Sequence, residues 1–173
     1  MSPFPNWHPL VVHFPIALVL SATALLLAAR LLRSESLAAS AATVGTWNLC
    51  LGAAAAFIAL ATGLSAVLDL DVNEAARQAI SLHLKWAMLT TLLLVLLAVW
   101  RGAGAAPNSR PSWLFLIALI AASAALSFTG YRGGKNVYEY AVGVRKIAAR
   151  SFEAPRGDLI EAICPYCAGM EPV

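Results

Sequence analysis

Four long runs of apolar residues, separated by short polar segments, dominate the pattern along this chain. They cover residues 9–32, 41–68, 80–100 and 112–129, and they are rich in Leu and Ala and poor in charge. A helix needs about 20 apolar residues to cross the hydrocarbon core of a bilayer. The runs lack the alternation that is typical of transmembrane β-strands. The pattern therefore predicts an all-α, polytopic membrane protein that forms a four-transmembrane-helix bundle.

The overall composition agrees with a membrane location. Apolar residues make up 60% of the 173 residues, charged residues only 12%, and the mean hydropathy is +0.74. Soluble domains carry about 25% charged residues. The net charge is +3, and most basic residues flank the apolar runs, where they set topology and meet anionic lipid. The sequence thus predicts the lipid bilayer as a partner and excludes nucleic acid.

Charge in the connecting loops predicts the orientation of the helices. The first loop contains Arg30 and Arg33 and the third contains Arg101 and Arg110, whereas the second loop, residues 69–79, is mostly acidic. Because cytoplasmic loops are enriched in Lys and Arg, these loops place both termini on the outer side of a cytoplasmic membrane. The basic C-terminal tail favours the opposite orientation.

The two halves of the chain resemble each other. The segment HFPIA begins at His13 and HLKWA begins at His83, and Thr-Gly pairs follow at residues 62–63 and 129–130. The His-to-Thr separations are 49 and 46 residues. A duplicated helical hairpin would give this spacing. Chance similarity between Leu/Ala-rich segments is the alternative.

All three histidines of the chain lie near the start of an apolar run. Ionisable residues at membrane depth are costly and usually functional. We expect His13 and His83 at matched depth, about 6 Å inside two parallel helices, where they could be axial ligands of a b-type haem between helices one and three. His8 is offset from His13 by about 140° on a helix, which predicts an interfacial position. Alternatively, each histidine simply bonds a neighbouring carbonyl.

Basic residues on the same side of the membrane are candidates for binding the haem propionates. Lys85, Arg132 and Lys135 are placed suitably for this role. The same histidines, His8, His13 and His83, could instead hold a metal ion or form a proton relay. Cysteine and methionine ligands, which copper prefers, are sparse inside the bundle, so the sequence argues against a copper site there.

The end of the chain is predicted to leave the bundle. Residues 130–135, with three glycines, predict a flexible break, and residues 136–150 have the apolar spacing of an amphipathic interfacial helix. The expected organisation is a transmembrane domain over residues 1–131, an amphipathic segment over 132–152 and a tail over 153–173.

The tail carries a Cys-x-x-Cys motif at Cys164 and Cys167, followed by Met170. Covalent c-type haem attachment would need a histidine directly after the second cysteine, but Ala168 stands there. A structural zinc site would need four ligands. A disulfide, a soft-metal site that includes Met170, and incidental cysteines remain open.

Two segments carry a resemblance to a known family. WHPLVVHFPIAL at residues 7–18 and TGYRGGKNVYEYAVGV at residues 129–144 resemble the bacterial membrane family called domain of unknown function 2231. The resemblance covers about residues 6–144 and implies a four-helix membrane domain with an association with haem or redox chemistry. The Cys-x-x-Cys tail lies outside it.

These observations together predict a bacterial inner-membrane electron-transfer subunit with haem b bound by His13 and His83. We expect partner membrane or redox subunits, or a homo-oligomer. The alternatives are a metal-handling membrane protein for copper or a similar ion, and a non-catalytic structural subunit that packs through its small residues. No nucleophile–base pair or carboxylate pair occurs at catalytic spacing, so no independent enzymatic activity is predicted.

Overall fold

The architecture follows from a computed structural model, which describes residues 7–68, 72–104 and 106–143. Every regular element in these ranges is an α-helix, which confirms the all-α prediction. The elements are α1 (His8–Val11), α2 (His13–Leu31), α3 (Glu35–Leu68), α4 (Glu74–Gly104) and α5 (Trp113–Tyr138).

Four of the helical segments are long and apolar enough to cross a membrane, as the apolar runs predicted. Helices α1 and α2 together form the first, His8–Leu31, and α3, α4 and α5 provide the others. The helices extend beyond the apolar runs, since a helix continues into polar residues wherever its ends are satisfied. Helix α4, for example, begins at Glu74 rather than near residue 80, because the Asn73 side chain accepts a hydrogen bond from Ala76 N at 2.9 Å.

The helices pack as a four-membered ring. Helix α2 contacts α3 and α5, and α4 contacts the same two helices, whereas α2 and α4 make no contact in the described ranges. The first and third spans therefore lie diagonally across the bundle axis. The interior between them is filled by fully buried aliphatic side chains from all four spans: Val19, Leu26, Leu49, Leu94 and Leu119.

Two glycines of α3 lie directly against side chains of α2. A Cβ atom on Gly45 would lie 2.8 Å from Cγ of Leu26, and one on Gly52 would lie 2.8 Å from Cγ2 of Val19. Small residues permit such close backbone approach, which drives helix association in lipid.

A buried arginine holds the loop at the end of the bundle away from the termini. Arg101 Nε donates to Thr46 Oγ1 at 3.1 Å, and its terminal nitrogens donate to Pro107 O, Ser109 O and Ser109 Oγ. Arg110 donates to two carbonyls in the last turn of α2. These two arginines thus satisfy backbone groups that the loop would otherwise leave unpaired.

The predicted flexible break at residues 130–135 is wrong. Helix α5 continues without interruption through these glycines to Tyr138, so the expected boundary at residue 131 falls inside a helix. In the bilayer the backbone gains by bonding internally, and this outweighs the low helix propensity of glycine. Of the predicted amphipathic segment, residues 132–138 belong to α5 and residues 144–152 lie outside the described residues.

Candidate functional site

The direction of the helices brings one end of each of the four spans to the same side of the membrane. Helices α1 and α4 begin there, and α3 and α5 end there. This terminal end contains His8, His83 and two glycines, Gly63 and Gly133, each five residues before the end of its helix.

His8, the first residue of α1, is anchored to α3. Its Nδ1 lies 2.9 Å from the carbonyl oxygen of Ala59 and 3.5 Å from Thr62 Oγ1. Because a carbonyl can only accept, Nδ1 donates the hydrogen bond to Ala59. This tautomer places the imidazole lone pair on Nε2, as in histidines that bind metal through Nε2.

Gly63 lets the His8 ring lie directly against the backbone of α3. A Cβ atom at this position would be 2.9 Å from Cε1 and 3.1 Å from Nδ1 of His8. A separation below 3.0 Å is essentially never seen for a real Cβ atom. The position of the His8 ring therefore requires glycine at residue 63.

His83 on α4 repeats this arrangement against α5. A Cβ atom on Gly133 would lie 3.1 Å from Cε1 of His83, and the Thr129 carbonyl, four residues before that glycine, is close enough to interact with the ring. The contact is not a hydrogen bond of ordinary geometry, since buried Nδ1 of His83 has no such partner in the described ranges. The same spacing occurs in the first pair, where Ala59, whose carbonyl bonds His8, precedes Gly63 by four residues.

The two histidines lie at the same end of the bundle, on spans that are diagonal in the ring. His83 lies within electrostatic range of His8 and of Arg132. The terminal end thus carries two half-buried imidazoles, one from each helical hairpin.

His13 does not share this position. Its side chain is exposed, whereas that of His8 is half-buried. The structure therefore differs from the predicted placement, because His8 rather than His13 is the half-buried histidine of the first span. Residues five apart on a helix point about 140° apart, so only one of the two can face the interior, and the contact of α1 with α3 selects His8. His83 also lies deeper than predicted, about 13 Å from the start of α4 at Glu74.

The three predicted basic residues have different surroundings. Lys85 is exposed, and Lys135 forms an ion pair with Glu139 at 3.1 Å. Arg132 is half-buried, and its Nε is buried without a hydrogen-bond partner in the described part of the chain. Of the three, Arg132 is therefore the one with unsatisfied donor capacity beside His83.

An aromatic cluster covers the neighbouring face between α4 and α5. The ring of Trp86, one turn after His83, packs edge-on against Phe128 with 4.8 Å between the centroids, and Phe128 lies 6.4 Å from Tyr131. These rings provide an apolar wall next to the His83 half of the site.

A self-contained metal site is not present among residues 7–68, 72–104 and 106–143. No group of three or more His, Cys, Asp or Glu side chains there could hold a metal ion. The predicted soft-metal ligands Cys164, Cys167 and Met170 lie outside the described residues.

Sequence reasoning missed the two glycines. It paired Thr62-Gly63 with Thr129-Gly130, whereas the structure makes Gly63 equivalent to Gly133. The available signal was His8 itself: it precedes its carbonyl partner Ala59 by 51 residues, close to the 46 residues between His83 and Thr129.

Comparison with known proteins connects this bundle to one family. Residues 5–146 match the family described as "Predicted membrane protein (DUF2231)". The chain belongs to DUF2231. The DUF2231 match includes all four spans and both histidine–glycine pairs, and it ends before Cys164. No curated protein and no solved structure matches the chain. This DUF2231 chain is therefore a multi-pass membrane protein whose bundle contacts the lipid bilayer.

Proposed function

We propose that this protein is a membrane electron-transfer subunit that binds a b-type haem through His8 and His83. The observation that carries the proposal is the placement of two half-buried imidazoles, from diagonal spans, at one end of the bundle. A haem needs only two axial protein ligands, because the porphyrin supplies the other four. Two imidazoles suit this requirement better than that of a bare metal ion, since the described residues contain no group of three candidate metal ligands.

The chemistry of the groups around His8 and His83 supports haem as the bound group. The His8 tautomer leaves the lone pair on Nε2, and the hydrogen bond to Ala59 resembles the outer contacts that orient metal-binding histidines. Two buried nitrogens beside the site, Nδ1 of His83 and Nε of Arg132, lack partners in the described ranges. Buried polar groups are normally satisfied, so these atoms point to a bound group that is anionic in part.

The residues of the site would each have a distinct task. His8 and His83 would ligate the iron, Arg132 would bind a propionate, and the Trp86 ring would shield the His83 side from water. A bound b-type haem would supply one-electron redox chemistry.

An electron carrier of this kind requires a donor and an acceptor. We propose that redox partner subunits dock at the terminal end, where the site lies closest to the membrane surface. The loop charges favour the outer side of a bacterial cytoplasmic membrane for this end.

Substitution of the three histidines tests the proposal directly. The protein is purified in detergent from cells supplied with haem, and visible spectra are recorded in the oxidised and reduced states. We expect a low-spin b-type spectrum for the wild type. His8→Ala and His83→Ala should each abolish the low-spin form, because each removes one axial ligand, while His13→Ala should retain it.

His13 is the matched control, since it lies on the same span as His8 but is exposed. A colourless wild-type preparation would overturn the proposal. Loss of the spectrum in His13→Ala, with His8→Ala unaffected, would assign the ligand to His13 instead. Metal analysis of a colourless sample, with and without residues 161–173, would then test the metal-handling alternative.

A further inference from the structure

The glycines of the described residues differ in what surrounds them. Gly45 and Gly52 face aliphatic side chains of the core, and a Cβ atom on Gly134 would meet nothing within 4 Å. Gly63 and Gly133 alone among the described glycines face imidazole rings. At Gly63 and Gly133, the missing side chain therefore leaves room for an imidazole ring.

The two histidine–glycine contacts share the same geometry. In both, the ring atom nearest to the Cβ position is Cε1, the carbon between the two ring nitrogens. In both, a backbone carbonyl one turn before the glycine faces the ring. One contact joins α1 to α3 and the other joins α4 to α5, so each helical hairpin contributes one copy.

This repetition defines two half-sites, each composed of a histidine, a carbonyl and a glycine. The first contains His8, Ala59 and Gly63, and the second contains His83, Thr129 and Gly133. Two copies from two hairpins would face a common ligand from opposite sides, which is what a planar group with two equivalent axial positions requires.

We infer that Gly63 and Gly133 are positioning residues that set the orientation of the two imidazole rings toward a shared ligand. The inference rests on the proposed function, in which these rings ligate a haem iron. The glycine backbone restricts rotation of each ring about its bond to Cβ, and at His8 the hydrogen bond from Nδ1 to the Ala59 carbonyl restricts it further. Ring orientation in turn determines the angle between the two axial imidazole planes, which the low-spin ferric EPR spectrum reports.

The two positions differ in how much space they leave. A methyl group at residue 63 would overlap the His8 ring at 2.9 Å, so the ring must move and its bond to Ala59 is disturbed. At residue 133 the separation of 3.1 Å demands a shift of only a few tenths of an ångström. The effect of alanine should therefore be larger at Gly63 than at Gly133.

The experiment compares Gly63→Ala, Gly133→Ala and the control Gly134→Ala in the full-length, haem-loaded protein. All three changes raise helix propensity to the same degree, but only the first two place a methyl group against an imidazole. EPR spectra of the ferric state and the rate of haem loss are measured. We expect altered EPR signals and about 10–100-fold faster haem loss in Gly63→Ala, the range for groups that orient ligands.

Gly133→Ala should show a smaller change of the same kind, and Gly134→Ala should match the wild type. If the wild type binds haem and all three variants share its EPR spectrum, the positioning role is refuted while the haem proposal stands. A wild type that binds no haem would refute both. If Gly63→Ala does not fold, Gly133→Ala decides the question, because its smaller overlap is tolerated by a slight shift.

Discussion

At the scale of single residues, the site is marked by buried polar atoms that lack partners. Nε of Arg132 is buried without a hydrogen-bond partner in the described ranges. A guanidinium in this position has a strong preference for a carboxylate. Arg132 is therefore the residue that best reports whether the ligand is anionic.

Replacing Arg132 by Gln should weaken haem binding by about 10–100-fold, since a hydrogen bond to a charged group contributes about 1.5–3 kcal/mol. Titration of the apoprotein with haem measures this change.

Lys85→Gln is the matched control, because Lys85 lies on the same end of the bundle but is exposed. Equal weakening in both variants would show that only the overall positive charge matters, and would remove the specific role of Arg132.

At the scale of helices, two kinds of contact hold the spans together. Glycines allow α3 to approach α2, and hydroxyl pairs link α5 to its two neighbours. Thr23 and Ser123 are 2.8 Å apart between α2 and α5, and Thr90 and Thr129 are 3.0 Å apart between α4 and α5. Such interhelical hydrogen bonds contribute about 0.6 kcal/mol each in a membrane, so close packing supplies most of the stability.

Gly52→Ala should lower the free energy of unfolding by about 1–3 kcal/mol, the usual result of overpacking a core, because its methyl group would overlap Val19 at 2.8 Å. Denaturation in detergent measures the change.

The haem spectrum of folded Gly52→Ala should stay unchanged, in contrast to that of Gly63→Ala. Gly102→Ala, where a Cβ atom would meet nothing within 4 Å, is the stability control and should not destabilise the protein. A spectral change in Gly52→Ala would mean that general packing, rather than ring contact, governs the site.

At the scale of the whole molecule, the ring arrangement separates the bundle into two unlike ends. The terminal end contains the two half-sites. At the opposite end, arginines connect the helices and the loop. Arg101 is buried and donates hydrogen bonds to loop carbonyls, and the Arg30 guanidinium lies 5.4 Å from the ring centroid of Trp113. The two loop regions at this second end contain Arg30, Arg33, Arg101 and Arg110, whereas the loop at the terminal end is mostly acidic, so the loop charges favour a cytoplasmic location for the second end.

The proposed orientation predicts which engineered cysteines a membrane-impermeant maleimide can reach in intact cells. With the three native cysteines replaced by Ser, Ala75→Cys at the terminal end should be labelled. Ser36→Cys at the opposite end should be labelled only after lysis. Both side chains are exposed in the structure, so accessibility alone does not separate them. The reverse pattern would place the termini in the cytoplasm.

The four spans and their direction were predictable because length and hydrophobicity suffice to define a membrane helix. Alternation of direction then placed the histidines, Thr62, Thr129 and Arg132 on one side. The continuation of α5 through residues 130–135 was not predictable from propensity, since glycine in such a run is ordinarily a break signal, and only the contact of Gly133 with His83 reveals its use within a helix.

The sequence by itself therefore determined the class of protein, the number of spans and the end of the bundle where its reactive side chains gather. Only the tertiary structure decided that His8 rather than His13 packs within the terminal end of the bundle, and that a glycine lies against each of the two half-buried rings. The physical reason is that some helices are apolar on all sides. The sequence of such a helix does not indicate which side packs against its neighbours. Rotation of each span about its axis is decided by packing, which places His8 on α3 and leaves His13 exposed.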